Sequence, residues 1–92
     1  MVDWETVVPL GQVVMTRGVL SSIPEIDLYW GTIRHAMGDW GQLSEFDQNQ
    51  NNLALVGGGR LLSRYVATNG RVFWIITEAD RSQTTILLPN EY

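Results

Sequence analysis

The sequence predicts one α+β domain spanning residues 1–92, in the order strand, helix, helix, strand, strand, strand. The expected sheet is antiparallel, ends in a three-stranded meander and carries two helices packed on one face. Three observations predict this. The C-terminal third alternates short apolar runs with turn signals, the middle shows helical spacing bounded by capping residues, and neither a repeat nor a low-complexity linker divides the chain. Ninety-two residues, 45% of them apolar, supply one core and not two.

Gln12-Val13-Val14-Met15-Thr16-Arg17 reads as a first strand, expected at an edge of the sheet. Ser22-Ile23-Pro24-Glu25 has the spacing of a capping box, so a helix is expected to begin there, and Gly38 offers its stop. Along that helix Ile26, Trp30, Ile33 and Met37 recur at i, i+4, i+7 and i+11 as one apolar stripe, the expected packing face. Glu25, Thr32, Arg34 and His35 lie off it. Ser44 caps a second, short helix from Glu45, whose polar run from Asp47 to Asn52 keeps it mostly exposed and which Gly57-Gly58-Gly59 ends.

Residues 60–67, 72–77 and 84–88 supply the meander. Asn69-Gly70 between the first two runs predicts a hairpin on a type I′ turn, with positive φ at both central positions. That turn pairs Tyr65 with Trp74 and Val66 with Phe73, while a tight second turn through residues 79–82 pairs Ile76 with Thr85 and Ile75 with Ile86. One sheet face then carries Leu62, Val66, Phe73, Ile75, Ile86 and Leu88, the other Leu61, Tyr65, Trp74, Ile76 and Leu87. Both faces are apolar, so the second needs cover: Trp4, Val7 and Val8 folding over it, a second copy of the chain in a homodimer, or a foreign partner.

Composition narrows the chemistry. The absence of cysteine removes thiolate metal sites and thiol nucleophiles and suits a reducing cytoplasm. All six cations are arginines, so Schiff-base and phosphate-loop lysines are missing too, and Gly57-Gly58-Gly59-Arg60 reads as a helix stop because it precedes a strand. A net charge of −4 disfavours direct nucleic-acid binding. No apolar run reaches the ~18 residues of a membrane span, so a cytoplasmic location without membrane contact is expected. His35, with Asp39 four residues on, has neither a second metal ligand nor an activated serine beside it and reads as solvated helix surface. No catalytic residue, metal or cofactor is expected.

What remains is binding. Trp40, between Asp39 and Gly41 in the inter-helix connection, either anchors that loop on the core or stands out as a hot spot. Glu78, Asp80, Arg81 and Ser82 share one turn, where two carboxylates and a guanidinium either hold a ligand or pair with each other. Tyr65 and Trp74 belong to the second sheet face. Asp39, Trp40, Tyr65, Trp74, Glu78, Asp80 and Arg81 are therefore the candidate partner-binding residues.

The segments Gly38-Asp39-Trp40-Gly41, Gly59-Arg60-Leu61-Leu62-Ser63-Arg64-Tyr65 and Phe73-Trp74-Ile75-Ile76-Thr77-Glu78-Ala79-Asp80-Arg81-Ser82, with the ending Thr84 to Tyr92, resemble a family of small proteins encoded on bacterial plasmids, prophages and phages. The resemblance covers roughly residues 13–92, and the TEADRS-x-TT-x-LLP-x-EY ending is its most specific part. It implies no catalytic residue. It does imply a setting, since short, acidic, cysteine-free proteins of mobile elements are often inhibitors of host defence, anti-CRISPR and anti-restriction proteins among them. The expected function is thus to bind and inhibit a bacterial defence complex by occupying an effector surface, the alternative being a homodimeric accessory of the element.

Overall fold

A computed structural model of the chain describes residues 7–92. Its elements are β1 (Gln12–Met15), α1 (Arg17–Ser22), α2 (Glu25–Ala36), α3 (Glu45–Gly57), β2 (Leu61–Val66), β3 (Val72–Thr77), β4 (Gln83–Leu87) and a 3₁₀ turn (Pro89–Glu91). The α+β class and the element order are as expected, with one helix more. Thr16 ends the first strand because its hydroxyl accepts from the Val19 amide and caps α1. Ser22 is consumed in the last turn of α1, so the Ser22–Glu25 box does not form. α2 begins after Pro24 with no side-chain cap.

The sheet has the order β1-β4-β3-β2, and β1 pairs with β4 in parallel, which corrects the antiparallel expectation. Three helices carry the chain from β1 back across one face, so β2 runs in the same direction as β1. β2 is antiparallel to β3 and β3 to β4, so β4 shares that direction and meets β1 in parallel. α3 is mostly exposed, as its polar run requires. Its buried Asn51 gives its amide to the Leu62 carbonyl and accepts from the Leu62 N–H, closing the outer edge of β2.

The second hairpin has the expected register, Ile75 with Ile86 and Ile76 with Thr85. The first is shifted by one residue, pairing Tyr65 with Phe73 and Arg64 with Trp74. Positive φ falls on Gly70 and not on Asn69, and Ala67 pairs with Arg71 around a three-residue loop with a glycine bulge in place of a type I′ turn. A slip of one reverses which way β2 side chains point. The core face therefore carries Leu61, Ser63 and Tyr65 with Phe73, Ile75, Thr77, Thr84 and Ile86, while Leu62 and Val66 join Trp74, Ile76 and Leu87 on the other face.

Val8 does not cover that other face. It is buried with Trp40 and Leu61, and the Val7 and Val8 amides both donate to the Ala36 carbonyl at the end of α2; Trp4 lies outside the described residues. Part of the cover comes instead from the C-terminus, where the Tyr92 ring stands edge-on to Trp74 at 5.6 Å between ring centres and Arg60 stacks on Tyr92.

Candidate functional site

α2 lies across the core face of the sheet and turns Leu28, Gly31 and His35 inward. A Cβ on Gly31 would come within 2.8 Å of the Phe73 ring, so glycine sets how closely the helix approaches. One turn on, His35 is fully buried, against its expected place on the solvated surface. Its Nδ1 lies 2.6 Å from Ser63 Oγ and its Nε2 2.8 Å from Thr77 Oγ1, which is 2.7 Å from Thr84 Oγ1.

The far end of this chain fixes the protons. Thr84 donates to the Leu10 carbonyl, so Thr77 donates to Thr84 and must accept from a protonated Nε2. Nδ1 is then bare and accepts from the Ser63 hydroxyl. This arrangement suits neutral imidazole, and burial, assisted by the Arg81 charge, lowers the His35 pKa from 6.5 to about 4. The Asp39 carboxylate is not its partner. It forms a two-point pair with Arg34, which holds its pKa below the usual carboxylate range, and it accepts from the Gly41 amide.

The stripe expected to pack faces solvent. At about 100° per residue, Ile26, Trp30, Ile33 and Met37 lie on the side of α2 opposite Leu28, Gly31 and His35. Ile26 is 56%, Trp30 55% and Met37 44% exposed, and neighbouring Tyr29, 60% exposed, packs edge-on against Trp30. Beside the stripe runs a groove of about 410 Å³ between α2 and the β1–α1 segment, lined by Met15, Leu20, Ile23, Leu28, Tyr29 and Ile33, with Glu25 and Thr32 as its polar members. α3 also exposes apolar side chains, Phe46, Leu53 and Val56, but Asn49 and Gln50 interrupt them. On α2 the four stripe residues follow one another along one face with no polar side chain between them, unlike those of α3.

The candidate residues read from the sequence fall in several places. Trp40 and Tyr65 are core residues, 4% and 2% exposed, with the Trp40 indole donating to Asn52 Oδ1 and the Tyr65 hydroxyl to the Asp39 carbonyl. Among the described residues the guanidinium of Arg81 pairs with no carboxylate. It donates to the carbonyls of Ala54 (3.0 Å) and Gly59 (2.5 Å), and to those of Glu78 and Ala79, tying the β3–β4 turn to the C-terminal end of α3. Asp80 accepts from the Ser82 amide and, like Glu78, is exposed. Trp74 is half-buried on the open sheet face, and its indole N–H has no partner among the described residues. Of the candidates, Asp39, Glu78 and Asp80 are thus exposed and Trp74 and Arg81 half-buried, and none of them lines the α2 groove.

Leu20 and Tyr29 were not among the candidates, since neither lies on the stripe of Ile26, Trp30, Ile33 and Met37 that periodicity picks out. Comparison with protein-family models, curated proteins and solved structures finds no match to this chain.

Proposed function

We propose that the protein works by binding another protein, without catalysis, through the outward face of α2 and the groove beside it. One observation carries this reading: α2 is apolar on the side that no other element covers among the described residues, with Trp30 and Tyr29 exposed at the centre. Aromatic side chains in such a setting are the residues that dominate binding energy when a partner buries them. His35 supports the non-catalytic part, because both its ring nitrogens are spent on Ser63 and Thr77 inside the core.

For the partner, the resemblance to mobile-element proteins favours a bacterial defence effector, such as a CRISPR or restriction complex, inhibited by occupation of its surface. Tagged wild-type protein and Trp30→Asp, each recovered from lysates of bacteria expressing such effectors, test this. An effector enriched at defined stoichiometry with wild type and lost with Trp30→Asp is the expected result. Equal recovery of the same proteins by both forms would remove α2 from the reading.

A further inference from the structure

We infer that in the free protein the outward face of α2 is covered by a second copy of the chain, in an antiparallel α2–α2 contact about a two-fold axis. This rests on the reading of that face as the binding surface and names its resting occupant.

The stripe is complementary to itself. With the crossing centred between Trp30 and Ile33, Ile26 lies opposite Met37 of the second copy and Trp30 opposite its Ile33, and symmetry repeats both pairs. Ile33 also borders the groove, so the indole of each copy arrives beside the groove of the other. Each chain then supplies one knob and one hole.

Charge permits this contact. The stripe carries no ionisable group, so two chains of net charge −4 bring no like charges together at its centre. α2 has Glu25 and Asp27 in its first turn and, with His35 neutral and buried, Arg34 alone as the cation of its last, shared with Asp39, so the antiparallel arrangement sets the acidic end of each helix toward the end of the other that bears Arg34.

The area is sufficient. Leu20, Ile26, Tyr29, Trp30 and Met37 are between 44% and 62% exposed. Together with Met15 they present on the order of 700 Å² per copy, which approaches the ~800 Å² that one partner contributes to a standard interface when the second copy covers the stripe and the groove together.

The chain lacks cysteine, so the register can be tested by cross-linking. A chain carrying both Ile26→Cys and Met37→Cys should oxidise to a covalent dimer, while each single variant stays monomeric on a non-reducing gel. The two positions are eleven residues apart on one helix, about 16 Å, beyond the ~7 Å limit between Cα atoms for a disulfide within one chain. In sedimentation equilibrium the wild type should weigh as a dimer and Trp30→Asp as a monomer.

A wild type that remains monomeric at about 0.1 mM, or a dimer that survives Trp30→Asp, overturns the inference. If that monomeric wild type still captures a foreign protein that Trp30→Asp loses, self-pairing fails while the docking reading stands. If Trp30→Asp changes neither mass nor capture, both fail.

Discussion

On its inner side α2 presents a leucine, a glycine and a histidine to the sheet; on its outer side it presents two isoleucines, a tryptophan and a methionine. Judged by hydrophobicity alone the two sides would be exchanged. The inner side packs because its shapes and hydrogen bonds fit: Gly31 admits the Phe73 and Tyr65 rings, and His35 accepts from the buried Ser63 hydroxyl and donates to Thr77, which in turn donates to Thr84. The outer side is apolar without a partner among the described residues, so with the inner side already packed it expects cover of its own. Stability should therefore depend on the inner side and binding on the outer.

The largest stability effect should come from His35→Ala. It leaves the Ser63 hydroxyl without its partner at about 1–3 kcal/mol, removes the donor to Thr77, which keeps Thr84, and opens a cavity as well, so a loss of roughly 3–5 kcal/mol in chemical denaturation is expected. A change below about 1 kcal/mol would mean that the buried chain of hydroxyls contributes little.

Acid should produce nearly as large an effect through the same residue. Its pKa is about 4 folded against 6.5 unfolded, so the unfolded chain binds the extra proton first. The contribution is whole above pH 6.5 and shrinks as pH falls toward 4, by about 3 kcal/mol from pH 7 to pH 4. Asp39, Asp80 and Glu91 have lowered pKa values and lose their contributions at more acid pH, below the ordinary carboxylate range. Denaturation midpoints measured across this interval for wild type and His35→Gln isolate the histidine, and parallel curves for the two would contradict the assignment.

Gly31→Ala should follow, with a loss of roughly 1–3 kcal/mol, because the added methyl meets two packed rings and the helix must move off the sheet. A neutral result in thermal unfolding would show that α2 has room to shift. Smallest is Trp30→Asp, expected within about 0.5 kcal/mol of wild type for a monomer unfolding, yet expected to abolish binding. A large loss of monomer stability would instead make Trp30 part of the fold.

The strands were legible because β-branched runs and the Asn69-Gly70 turn are local signals, and the second hairpin kept its register. The first slipped because one glycine with positive φ serves a three-residue loop as well as a two-residue one, and the sequence does not distinguish them. Periodicity located α2 and its apolar stripe, but periodicity says only that a helix has such a face, not which way the face points. The true packing side was concealed by what Gly31 and His35 contribute, clearance and two hydrogen bonds, neither of which registers as hydrophobicity. Arg81 stood among the candidate partner-binding residues, with a ligand or the turn carboxylates as its alternatives, because its acceptors are backbone carbonyls of α3, the following loop and its own turn, which leave no mark in side-chain chemistry.

A photoreactive benzophenone amino acid in place of Trp30, activated in living bacteria, tests the outer side most directly. The account predicts that the chain becomes covalently joined to another protein, whether a second copy or a foreign one, in higher yield than from the same group at Val66 on the open sheet face. Recovery of only the unmodified single chain from position 30, or equal yields from both positions, would contradict the assignment of this face to binding.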